Sequence, residues 1–290
     1  MFAAAKGKRR VLAAFIAAAF ATAAPAAPQS SPIFSPAPNV GWISYGPEFI
    51  PEPSGPQPVT FDPAHPFINN AIEYTSARPE LKIPDQNSTF PVADLTNPLL
   101  QPWVRDELKK LNDRVLAGRP LYSRQTSCWP MGVPGFLLYV VAPIFILQTP
   151  KEVVFITTND HMVRHVYLNV PHSRAPKPSW YGESVGHYEG EWLVVDTIGL
   201  STKAFIDNYR TPHSEKLHVV ERYHLIEDGK TMEVKAHIED PDAFTTALDV
   251  SQRYARSERE ELREQVCAEN NANYFNYEIE PMPQADKADF

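Results

Sequence analysis

A carboxylate on the apolar side of a strand is the first chemical anomaly in this chain. Residues 217–239 read as a β-hairpin turning about Asp228-Gly229, a pair suited to a two-residue loop because both central positions need positive φ. That turn makes facing residues sum to 457: Leu225 with Met232, Tyr223 with Val234, Glu221 with Ala236, Val219 with Ile238. One face is then apolar except at Glu221, while the other matches His224 to Glu233 and His218 to Glu239. A carboxylate among Val219, Tyr223 and Leu225 needs an arginine, a histidine, a metal or a raised pKa. Two readings stay open: a general acid or base inside a barrel, or a structural ion pair with an interior arginine.

Other reactive residues lie close in sequence. GESVG (182–186) has the form G-x-S-x-G, and Asp196 or Asp207 and then His213 follow Ser184 in hydrolase order. A nucleophile elbow needs a strand, a strained turn and a helix. Here a Glu189-Gly190 turn and the run 192–197 follow, which reads as a hairpin, so hydrolysis by Ser184 is a third-ranked alternative. His213 stands in the loop TPHSE (211–215) leading into the strand of Glu221, with Asp207 and Arg210 in the same connection, either at a ligand-binding rim or in a plain solvent loop. His161 and His165 have i,i+4 spacing, but on a strand this spacing does not converge on one ion, so no metal is expected. Trp180, Tyr181, Trp192, Tyr167 and Phe155 are core, lid or pocket-lining aromatics. NST (87–89) matches a glycosylation sequon.

The elements that must position these groups are mostly strands. Helix periodicity marks 99–118, where Leu100, Trp103, Val104, Leu108, Leu111 and Val115 share a stripe between Asn97-Pro98 and Gly118. From about 136 the period drops to two. Apolar runs recur at 137–148, 152–158, 162–169, 183–188, 192–197, 217–226, 231–239 and 246–254, with a further two-residue turn at Asn159-Asp160. Ser257 and Glu260 have capping-box spacing and open a short C-terminal helix bearing Leu262 and Val266. The fold expected is mainly β: an antiparallel meander closing into a calycin- or lipocalin-like barrel, with an N-terminal helix and a C-terminal one.

The ends are different. Lys6, Lys8, Arg9 and Arg10 precede the apolar run 11–23 and the small residues 24–26, the layout of an export signal and too short for a comfortable span. Arg9-Arg10 also makes a weak twin-arginine match. Removing 1–26 leaves 23 basic against 35 acidic side chains, net −12, which makes nucleic acid and anionic membranes poor partners. Eleven prolines between Pro28 and Pro66 exclude a sheet interior or long helix there. The organisation expected is signal 1–26, proline-rich extended arm 27–94, barrel 95–275 and tail 276–290, in the periplasm or outside the cell. Cys128 and Cys267, the only cysteines, form one disulfide in an oxidising compartment or remain two buried thiols.

Eight motifs occur in order: CWPMGVP (128–134), QTP (148–150), WYGESVGHYEG (180–190), LVVDT (193–197), PHSEKLH (212–218), ER (221–222), EDP (239–241) and CAEN (267–270). Over roughly 95–273 the chain resembles an abundant family of exported bacterial proteins. The resemblance implies a family disulfide, since both cysteines fall in motifs, and a shared site including Glu221, Arg222, Asp196 and His213, but no reaction. The chain departs from the family pattern at Tyr188, where Trp is more usual, and at Glu191-Trp192, where Asp-Thr is.

The reading is a barrel handling a small apolar or aromatic molecule, without cofactor, by acid–base chemistry as an isomerase, hydratase or lyase. Glu221, His213 and Asp196 are the proton-carrying candidates, and Arg222, Arg210, Trp180 and His187 the ligand-binding ones. The alternative is the same barrel as a non-catalytic binding protein.

Overall fold

The computed structural model describes residues 32–65, 91–117, 119, 128–140, 142–157 and 162–264. The expected export signal, the sequon at Asn87, His161, Cys267 and the 276–290 tail lie outside them.

Ten strands form one sheet: β1 (Gly41–Ser44), β2 (Ile50–Pro51), β3 (Phe145–Gln148), β4 (Glu152–Ile156), β5 (Val163–Leu168), β6 (Glu183–Glu189), β7 (Trp192–Ile198), β8 (His218–Ile226), β9 (Thr231–Glu239) and β10 (Leu248–Ser257). Nine follow the order β1-β10-β9-β8-β7-β6-β5-β4-β3, with β2 paired to β10 off that path. The ends of the order meet where Trp42 and Ile144 exchange backbone hydrogen bonds of 2.9 Å each, so the sheet is a nearly closed barrel. Closure turns alternate side chains inward. Val153, Phe155, Val166, Leu193, Val195 and Val234 are fully buried there, and the described interior is packed with side chains.

The hairpin arithmetic is realised at β8–β9, where Glu221 faces Ala236 and Tyr223 faces Val234. Asp228 and Gly229 both have positive φ, 55° and 79°, between Glu227 and Lys230, whose backbone atoms bond at 3.2 Å. The β4–β5 register is also the one expected, pairing Phe155 with Arg164. At β6–β7 the turn lies one residue later than expected. Glu189 faces Trp192, and Gly190, at φ 62°, takes the first central position, where a type II′ turn requires glycine.

Four expectations are corrected. The proline-rich arm does contribute a barrel strand: Gly41–Ser44 lies between Pro38 and Pro47, is free of proline, and pairs with β10 through all four residues. The sheet is not purely antiparallel, because β5 and β6 run parallel, joined by the long connection 169–182. Their close approach needs a glycine at 186, where a Cβ would fall 2.8 Å from Val166 Cγ1 and from the Val194 carbonyl. The run 137–148 is strand only from Phe145. Gly135–Leu138 is instead a buried single 3-10 turn, and a continuous apolar run flanked by prolines does not distinguish the two. No helix occupies 257–264, because β10 continues to Ser257 under pairing from Gly41, and the Ser257 hydroxyl donates to Glu260 Oε1 at 2.6 Å with no helical turn around it.

The helix within 99–118 is α1 (Pro102–Leu116), with Pro102 in its first turn and Val104, Leu108 and Val115 buried. Asn97 does not cap it. Its Oδ1 accepts from Leu99 N at 2.9 Å in a turn upstream. The helix docks by its start on the β9–β10 connection, where Gln101 N donates to Ala243 O at 3.0 Å. No helix among the described residues is long and apolar enough to cross a membrane.

Candidate functional site

Inside the barrel, a polar stripe crosses four adjacent strands. Register alone assembles it: Arg164 on β5 faces inward beside Val166, Ser184 on β6 faces Thr197 on β7, and Glu221 on β8 faces Val195. Arg164 Nε donates to Ser184 Oγ at 3.2 Å, Nη1 to Glu221 Oε1 at 3.1 Å, and Nη2 to Thr197 Oγ1 at 2.9 Å and to Glu221 Oε2. The Tyr223 hydroxyl donates to Glu221 Oε1 at 2.7 Å, and the Ser184 and Thr197 hydroxyls are 2.9 Å apart.

Arg164 is 1% exposed and Glu221 0%, so the pair is sealed from water. Phe136 and Phe155 flank the guanidinium at 4.9 and 5.7 Å from their ring centres. Burial works against the Arg164 charge, but Glu221 and Tyr223 outweigh it and hold its pKa above the ordinary value. Burial, and then the Glu221 charge, push the Tyr223 phenol well above its usual range, so it stays a donor.

Of the two readings of Glu221, this geometry is that of a structural ion pair. Both oxygens are engaged, and one forms bonds to two partners. Ser184 lies within strand β6, its hydroxyl bound to Arg164 and Thr197, with no strand-to-helix turn around it.

The other candidates are dispersed. Asp196 pairs with Val220 and therefore points outward. Its Oδ1 lies 2.9 Å from both His172 Nε2 and His218 Nε2, and His172 Nδ1 reaches Glu183 Oε1 at 3.0 Å. Bonds from Ser173, then from His172, hold the Glu183 carboxyl below its usual range. The His218 bond lowers Asp196 in the same way, and the Asp196 bond raises His218. Arg222 and His187 sit further along the same outer face and share Glu189, at 2.7 and 2.8 Å. His213, Arg210 and Asp207 occupy a covered loop, each of them buried, and not an open rim. Asp207 ties that loop through Tyr209 N, Thr211 N and the Thr211 hydroxyl at 2.9, 3.1 and 2.7 Å, and Asn208 holds Pro47 O at 2.6 Å, laying the arm over it. The His213 Nδ1 lies 2.8 Å from Ser214 O. Glu221, His213 and Asp196 are thus not brought into one site.

Of the expected ligand-binding residues Arg222, Arg210, Trp180 and His187, Trp180 lines a cleft among the described residues. Where β5 and β6 begin to diverge, a side opening of about 430 Å³ is bounded by Pro130, Tyr167, Lys177, Trp180 and Tyr181, with Arg164 and Ser184 contributing to its wall. Trp129 packs against Trp180 with ring centres 5.3 Å apart. The connection 169–182 supplies five of its twelve lining residues, Trp180 and Tyr181 among them. Ser179 N bonds Gly199 O at 3.1 Å, and Ser201 N bonds Ser179 O at 2.9 Å, pinning it to the sheet. A second groove, of about 650 Å³, lies beside the arm, where Gln148 grips the backbone of Pro32 and Phe34 at 2.8 Å each.

Sequence reasoning missed Arg164 and Thr197. Arg164 shares strand parity with Val166 and Leu168, and a turn expected at Asn159-Asp160 predicts Phe155 as its partner, so its inward direction was available from the same arithmetic that singled out Glu221. No group of three or more His, Cys, Asp or Glu among the described residues is placed to hold a metal ion. The expected partner of Cys128, Cys267, lies outside the described residues. No family model matches the chain, and no curated protein matches it.

Proposed function

We propose that this chain is an exported binding protein for a small, largely apolar or aromatic molecule, taken up in the side cleft between β5 and β6. The observation that carries this reading is the contrast between a filled interior and a concave aromatic wall that ends on buried polar groups. Concave, mainly apolar pockets with a few fixed polar groups are the usual form of small-molecule sites. Export rests on the layout of residues 1–26, and a Cys128–Cys267 bridge would suit the oxidising compartment reached. The up-and-down order from β6 to β10 is what supports a calycin-like assignment.

The non-catalytic form of the reading is preferred to the acid–base one. A proton carrier must reach its substrate within hydrogen-bond distance, and Glu221 is fully buried with both oxygens engaged.

Native mass spectrometry after incubation with pooled small aromatic compounds tests the proposal. Wild type is expected to retain at least one compound and Trp180→Ala to lose it while keeping its circular dichroism spectrum. Retention unchanged by Trp180→Ala, or no retention by wild type, overturns the cleft as the binding site. Turnover of a retained compound that Glu221→Gln abolishes in folded protein would restore the acid–base reading.

A further inference from the structure

Charge at the cleft narrows the ligand class, an inference that rests on the cleft being the binding site. Four ionisable groups other than tyrosines contribute to its lining: Arg164, His165, Lys177 and Glu183. Three are already matched within the protein. Arg164 is neutralised by Glu221. His165 Nδ1 lies 3.2 Å from Glu152 Oε2. The Glu183 carboxylate accepts from Ser173 N at 2.6 Å and lies 3.0 Å from His172, itself set against Asp196 on its other nitrogen.

Lys177 is the exception: among the described residues its ammonium makes no ion pair or hydrogen bond, and it stands on the connection that also carries Trp180 and Tyr181. The chain as a whole is acidic, at −8, so an unmatched cation on an aromatic wall is set against the prevailing field. Pro176 and Pro178 flank it and stiffen its backbone, and Pro176 lies against Gly199, 3.0 Å from where a Cβ would stand. The ammonium is therefore carried on a restrained segment.

We propose that the cleft selects planar aromatic compounds bearing one negative charge, the ring against Trp180 and the anionic group at Lys177. Arg164 takes no part in reading that charge, because Glu221 neutralises it and each of its three nitrogens is already bonded within the barrel. Selectivity then comes from one rim cation in partial contact with water, which makes it sensitive to salt.

Isothermal titration calorimetry with benzoate and 2-naphthoate, each against its neutral amide, tests this on the full chain. Wild type is expected to bind the carboxylates about fivefold more tightly than the amides at low salt, the upper range for a partly exposed ion pair. The preference should shrink as salt is raised. Lys177→Gln should abolish it by bringing the carboxylates down to the affinity of the amides, and Trp180→Leu should weaken both ligands together. Equal affinity for acid and amide, or a preference that survives Lys177→Gln, overturns the charge assignment and leaves the cleft intact. Failure of all four compounds to bind would instead remove the cleft reading, and this inference with it.

Discussion

Two carboxylates one ladder position apart live in opposite media. Glu221 faces Val195 from inside the barrel, and Asp196, the next residue on β7, faces Val220 from outside. The inner acid is sealed and bonded by one guanidinium and one phenol, and two hydroxyls accept in turn from that guanidinium. The outer acid is 40% exposed and shared between two imidazoles. Alternation alone assigns the two environments, and environment then decides what each charge does. Within the wall the group fixes register and packing; on the surface it responds to solvent and pH.

The inner pair carries the largest expected effect. Arg164→Met alone or Glu221→Leu alone leaves a buried charge without its partner, a loss of about 3–5 kcal/mol by comparison with other buried pairs. Removing both should restore stability to well above either single variant, with a coupling of about 2 kcal/mol or more in a double-mutant cycle followed by urea unfolding. Additive losses would mean that the two residues act separately, and the inside–outside contrast would lose its basis.

Tyr223→Phe sharpens the same contrast at intermediate size. It removes a hydroxyl that donates to Glu221 and interacts with Arg164, at a cost of about 1–3 kcal/mol for a bond to a charged, buried acceptor. Asp196→Asn on the outer face should cost under about 1 kcal/mol by the same measurement. A larger loss from Asp196→Asn than from Tyr223→Phe would reverse the ranking.

Much of this was legible in the residues, and the failures have physical causes. The inward carboxylate and its partner strand followed from one turn dipeptide, because Asp228-Gly229 tolerates the positive φ that few other pairs do. The arm strand was hidden, because Gly41–Ser44 is short and what holds it is long-range, the ladder to β10 and the Trp42–Ile144 bonds. The proposed C-terminal helix failed for the same reason, since local capping signals lost to the ladder that Gly41 extends to Ser257. The cleft depends on a parallel pairing and a proline-containing connection, neither of which leaves a periodic trace. Asp196 was misjoined to Glu221 because adjacency in sequence motifs says nothing about which side of the wall a side chain takes.

The smallest expected effect is the pH response of the outer face, and its sign follows from the two titrating partners. The His218 pKa is raised by its bond to Asp196, so its contribution is fully present below the unfolded value of 6.5 and fades as pH rises through the higher folded value. The Asp196 pKa is lowered by the same bond, so its contribution is present above 3.8 and fades as pH falls through the lower folded value. Together they add most in the window between, and at this exposure the amount stays under about 1 kcal/mol. Arg164 is raised above its ordinary value and Tyr223 well above its own, so the inner stripe contributes no slope from these groups between pH 5 and 9. The gap in unfolding midpoint between wild type and His218→Asn should therefore narrow as pH rises through that range, while Tyr223→Phe should lower the whole curve without changing its slope. A slope that His218→Asn leaves intact would place the pH response elsewhere and strip the outer cluster of the role that distinguishes it from the inner one.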